Sequence, residues 1–124
     1  MTACQKAFDL AHQAGHPAAE ADALLGSAEA ALAAGDRTAA AGYAARARAY
    51  FESAKKPESL WRACVQLIRS RASDQSIATE AATALAVLKA SWPEEDFRSY
   101  LNRPVIRRLH AELLRVNPAA PTTN

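Results

Sequence analysis

A chain of 124 residues, half of them hydrophobic, is long enough for one domain with a modest core and too short for two ordinary ones. Alanine accounts for 32 residues and aromatics for only eight, so much of the apolar content is methyl groups that let helices approach closely, and the lack of β-branched or aromatic runs argues against strands. The net charge of +2 is too balanced to imply nucleic-acid binding by itself, although residues 1–45 carry −3 and residues 46–124 carry +5.

Turn signals divide the chain into helices. Thr2 and Gln5 form a capping-box pattern, and Gly15 with Pro17 is a stop, which predicts a first helix over about 2–14. A second helix over about 18–34 places Leu24, Leu25, Ala28, Ala31 and Leu32 at three- and four-residue spacing. Gly35-Asp36 closes it and caps a third helix, about 37–54. There Ala40, Tyr43, Ala44, Ala47, Tyr50, Phe51 and Ala54 share a stripe that leaves out Arg46, Arg48 and Glu52. Lys55-Lys56-Pro57 is the next turn, with its cations where a helix C-terminus favours them.

The fourth helix, about 58–72, has Leu60, Trp61, Ala63, Cys64, Val65, Leu67 and Ile68. That apolar arc is too wide for one neighbour and predicts packing on both sides. Ser73-Asp74 starts a fifth helix reaching about Ala90 through Ile77, Ala78, Ala81, Ala82, Leu85 and Leu88. Ser91-Trp-Pro-Glu94 is a second capping-box pattern. It leads to a short sixth helix with Phe97, Tyr100 and Leu101, and after Asn102-Arg-Pro104 to a seventh with Val105, Ile106, Leu109, Leu113 and Leu114. Residues 117–124, rich in Pro, Ala and Thr, read as a disordered tail.

The turns recur in step. Ala7, Ala14 and Pro17 return as Ala47, Ala54 and Pro57 at an offset of 40, and Asp36, Ala40 and Ala44 return as Asp74, Ala78 and Ala82 at an offset of 38. Each unit is a pair of antiparallel helices whose contact needs small residues. With Leu24 and Ala28 in one helix, Gly35-Asp36 at the turn, and Ala40 and Ala47 in the next, the unit resembles the tetratricopeptide repeat, in the longer-period form common in bacterial regulatory proteins. The second copy has Ser73 for the turn glycine and Leu85 where Ala47 stands. The resemblance implies an all-α, right-handed solenoid of stacked helical hairpins over residues 1–90, a half-repeat followed by two hairpins, closed by capping helices over 91–116. It also implies a scaffold that holds peptides or helices of other proteins in a concave groove.

Candidate binding residues sit on the polar faces. Arg62, Gln66 and Arg69 lie at i, i+4 and i+7 on the fourth helix, a polar stripe that would clamp a carboxylate if it faces a groove; an ordinary solvated face is the alternative. Asp22 and Glu29 on the second helix complete the expected partner-binding set. Arg98, Arg103, Arg107, Arg108 and Arg115 could neutralise phosphates, but no nucleic-acid motif accompanies them, and arginines there are ordinarily solubilising. His12 and His16 have zinc spacing but no third ligand nearby, and His110 reads as half-buried packing.

Catalysis finds no support. Glycine-rich phosphate loops and nucleophile elbows are absent, Asp74 and Glu80 have helix-start and surface explanations, Cys64 falls in the apolar arc, and no motif calls for a cofactor or metal. Cys4 and Cys64 read as free thiols. No basic leader or run of about 18 large apolar residues is present, so a cytoplasmic location without membrane contact is the default expectation. The expected function is a non-catalytic protein-interaction module. The alternatives are a self-associating adaptor, dimerising through an apolar face around Phe8, Leu10 and Ala11, and nucleic-acid binding through the arginine-rich end.

Overall fold

The computed structural model describes residues 6, 7, 9, 10, 15–71 and 74–123. Among them it has six helices and no strand: α1 (Pro17–Ala33), α2 (Arg37–Ser53), α3 (Pro57–Arg69), α4 (Gln75–Ser91), α5 (Glu94–Leu101) and α6 (Pro104–Val116). Lys6, Ala7, Asp9 and Leu10 are also helical, and the remainder of the expected first helix, with Thr2, Cys4, Gln5, Phe8, Ala11 and His12, lies outside the described residues. No helix among the described residues is long and apolar enough to cross a membrane.

The helix boundaries follow from local chemistry. Pro17 and Pro57 each open a helix, after N-cap residues of nearly identical backbone, His16 (φ −106, ψ 87) and Lys56 (φ −110, ψ 80). Asp36 and Asp74 cap the second helix of each hairpin, accepting the amides of Ala39 at 3.0 Å and Ser76 at 2.9 Å. The turns also share their closing bonds. The amides of Gly35 and Asp36 donate to the carbonyls of Leu32 and Ala31, and those of Lys55 and Lys56 donate to Glu52 and Phe51 in the same pattern. Each such turn needs a left-handed residue, met by Gly15, Gly35, Lys55 and Arg71.

Consecutive helices from α1 to α4 pack on one another, and α3 also touches α1 and α6. The expected two-sided packing of α3 is therefore exceeded. Trp61, Ala63, Cys64, Val65 and Gln66 are wholly buried along it. Close approach is made with methyl groups at Ala28, Ala40, Ala44, Ala47 and Ala81, all wholly buried. Leu85, larger than its counterpart Ala47, fills the space beside Trp61 and Leu113 in the largest apolar cluster.

Two expectations change at the C-terminal end. The Ser91 capping box does not form: α4 runs through Ser91, the chain turns extended at Trp92 (φ −92, ψ 150), and Pro93 is the N-cap of α5 without a side-chain bond. A residue before proline disfavours helical backbone, which puts the break at Trp92. Residues 117–123, read from composition as disordered, lie against the bundle. Ala120 is buried, Asn117 Nδ2 donates to the Ala78 carbonyl at 3.4 Å, and His110 Nε2 is 2.7 Å from the Pro121 carbonyl.

Gly35 has open space around the position a Cβ would take, so replacing it tests backbone strain alone. Gly35→Ala is expected to lower stability by about 1–2 kcal/mol, and Lys55→Gly, at the equivalent turn, to leave it unchanged or raised by less than about 1 kcal/mol. Urea unfolding midpoints check this; equal losses in the two variants would contradict it.

Candidate functional site

Along α3, Glu58, Arg62, Gln66 and Arg69 form a polar ridge that threads neighbouring helices together. Trp61 Nε1 donates to the Tyr100 hydroxyl at 2.9 Å, and that hydroxyl donates to Glu58 Oε2 at 2.5 Å. Burial, then the adjoining Glu58 carboxylate, pushes the Tyr100 hydroxyl pKa well above the usual phenol range. Arg62 lies 3.4 Å from Glu58 and 3.6 Å from Glu29 on α1. The wholly buried Gln66 donates to Glu29 at 3.4 Å and accepts from Arg69 Nη1 at 3.1 Å.

This chain of bonds separates the expected binding residues. Glu29, Gln66 and Arg69 meet in the wall of one cavity of about 330 Å³, between α1, α3 and α6, whose far side is Val105, Arg108, Leu109 and Glu112. Arg62 stands one turn back, its Nη1 and Nη2 paired with Glu58 and Glu29 and its buried Nε without a partner, so the carboxylates it clamps belong to its own chain. Asp22 is exposed two turns earlier on α1, outside the cavity. Arg69 is exposed, and none of the ion pairs formed among the described residues uses Arg69 or Arg108.

The contribution of α6 was hidden in the sequence, where this segment reads as a cap with solubilising arginines. The arginines of α5, of the turn and of α6 have distinct surroundings. Arg98 pairs with Glu94 at 3.3 Å, Arg115 pairs with Glu112 at 3.1 Å, Arg103 lies 5.6 Å from the Tyr100 ring centre, and Arg108 faces the cavity. A legible signal did exist: Val105, Arg108, Leu109 and Glu112 recur at three- and four-residue spacing beside the buried Ile106 and Leu113.

Away from this groove, α2 and α4 are joined by a bidentate pair in which Arg48 Nε and Nη2 donate to Glu80 at 2.7 and 2.6 Å. Arg48 and Glu80 look like ordinary surface residues in sequence, and 32 positions separate them. Beneath the pair, the Cys64 Sγ donates to Glu80 Oε1 at 3.6 Å. Burial first, and the Glu80 charge second, push this thiol up to about 12. The group is a neutral thiol at ordinary pH, not a nucleophile. No cluster of His, Cys, Asp or Glu among the described residues could hold a metal ion; His16 is exposed at the start of α1.

No family model, no curated protein and no solved structure matches the chain.

The raised thiol pKa has a sign that can be measured. Unfolded, Cys64 ionises near the usual 9.0; folded, it stays protonated up to about 12, so its contribution to stability is complete below pH 9 and is lost as pH rises from 9 towards 12. Between about pH 8 and pH 10 the unaltered protein is expected to lose more stability in urea titrations than Cys64→Ala does. Parallel losses would contradict this assignment.

Proposed function

We propose that this chain is a non-catalytic helical-repeat module, of tetratricopeptide-like build, that holds a peptide or helix of another protein in the groove between α1, α3 and α6. Several observations support the reading. The turns at Gly35-Asp36 and Lys55-Lys56 close with the same bonds, and an Asp caps the second helix of each hairpin. Helices α1, α3 and α6 line one face, as the inner helices of a solenoid would. Residues 91–116 then serve as the closing cap and also supply one groove wall.

The observation that carries the proposal is the composition of the cavity wall. It sets two guanidiniums without carboxylate partners, Arg69 and Arg108, beside the half-exposed Val105. An apolar contact flanked by forked donors suits a peptide bearing acidic and aliphatic side chains. A second reading has one observation of its own: Leu10 is helical and 58% exposed, a surface on which a second copy would dock.

The test is a nuclease-treated pull-down from an extract of the source cells, comparing the unaltered chain with Arg69→Glu/Arg108→Glu of confirmed helicity. A protein retained only by the unaltered chain, and binding it directly once purified, is the expected result. Equal retention by both would contradict the groove reading. A mass that doubles with concentration and is restored to monomer by Leu10→Glu would favour self-association instead.

A further inference from the structure

Arg69 lines three adjoining cavities. Besides the groove cavity, one of about 310 Å³ is walled by Arg37, Ile68, Arg69, Arg71, Glu112, Arg115 and Val116, and one of about 510 Å³ by Leu32, Gly35, Asp36, Arg37, Thr38 and Arg69. Four arginines line the middle cavity from three places: Arg37 at the start of α2, Arg69 and Arg71 around the end of α3, and Arg115 at the end of α6. Its one carboxylate, Glu112, already pairs with Arg115 at 3.1 Å. No ion pair among the described residues uses Arg37, Arg69 or Arg71. This surplus is local, because the neighbouring carboxylates are committed elsewhere: Asp36 caps α2, and Glu29 pairs with Arg62 and accepts a bond from Gln66.

We propose that this arginine-lined cavity binds a phosphorylated side chain on the partner segment that occupies the groove. The inference rests on the groove reading and names the chemistry at one end of it. A carboxylate brings one charge and two acceptor oxygens, which a single fork satisfies. A phosphomonoester brings about −1.5 to −2 charges and three acceptor oxygens, which suits several forks converging from different elements. The remaining lining is aliphatic, Ile68 and the 43% exposed Val116, and lacks the aromatic rings on which bases would stack, which favours a peptide over a nucleic acid.

The experiment follows the arginine Nε–H resonances of the full chain by NMR during titration with a capped alanine pentapeptide carrying a central phosphoserine. Parallel titrations use the same peptide with glutamate at the centre, inorganic phosphate, and a single-stranded oligonucleotide. The resonances of Arg37, Arg69, Arg71 and Arg115 are expected to shift saturably with the phosphopeptide, and the glutamate peptide to bind at least about tenfold more weakly. Arg69→Gln should weaken phosphopeptide binding about tenfold, while Glu112→Gln, which removes the competing carboxylate, should tighten it.

The proposal is overturned if these resonances do not move, if the glutamate peptide binds equally, if inorganic phosphate binds as tightly as the phosphopeptide, or if the oligonucleotide binds most tightly. Treating the cell extract with phosphatase separates the two proposals. Capture that survives phosphatase but is lost in Arg69→Glu/Arg108→Glu upholds the groove and removes the phosphate.

Discussion

Helix α3 is enclosed by α1, α2, α4 and α6, and this enclosure governs the rest of the structure. A helix surrounded so closely needs small residues facing it, and Ala47 and Ala81 supply them without exposed surface. It must also find partners for the polar groups it carries inward, and among the described residues the Arg62 Nε is the buried side-chain atom left without one. Gln66 is buried and can persist only because Glu29 and Arg69 bond both ends of its amide, and the indole N–H of Trp61 needs the Tyr100 hydroxyl for the same reason. The polar ridge of α3 is thus a set of obligations that fix where α1 and α5 sit. The groove beside it is a consequence of that placement.

The two faces of the bundle use charge differently. Between α2 and α4, Arg48 and Glu80 close on one another with two short bonds above a neutral thiol, and little bonding capacity remains. On the α1–α3–α6 face, Arg62 consumes the carboxylates of Glu29 and Glu58, while Arg69 and Arg108 donate only to neutral oxygens, those of Gln66 and Pro104, and form no ion pair among the described residues. A surface that spends its acids internally and leaves its arginines outward is complementary to an anionic segment. The overall charge of +2 conceals this arrangement.

The helix ends were legible in the sequence because they depend on neighbours in the chain. Pro17, Gly35-Asp36, Lys55-Lys56-Pro57 and Asp74 each act within a few residues of themselves, and each marks the boundary expected of it. The wide apolar arc of α3 likewise announced its burial. Contacts between distant residues left no such mark. Tyr100 and Glu58 are 42 positions apart, Arg48 and Glu80 are 32 apart, and the seat of α6 on α3 follows a break that falls at Trp92, after α4 has run through Ser91. For the site, spacing put Arg62, Gln66 and Arg69 on one face, but only the position of Glu29 shows that Arg62 meets carboxylates while Arg69 donates to the neutral Gln66 amide.

The most direct test of this account is native-state hydrogen exchange along the whole chain. If α3 is the enclosed centre, the amides from Trp61 to Leu67 should exchange only through global unfolding, with a free energy equal to that from denaturant titration, while the ends of α1 and α6 open more readily. Exchange from α3 at lower free energy than from α4 or α6 would contradict it, because the groove would then rest on a helix that its neighbours do not hold.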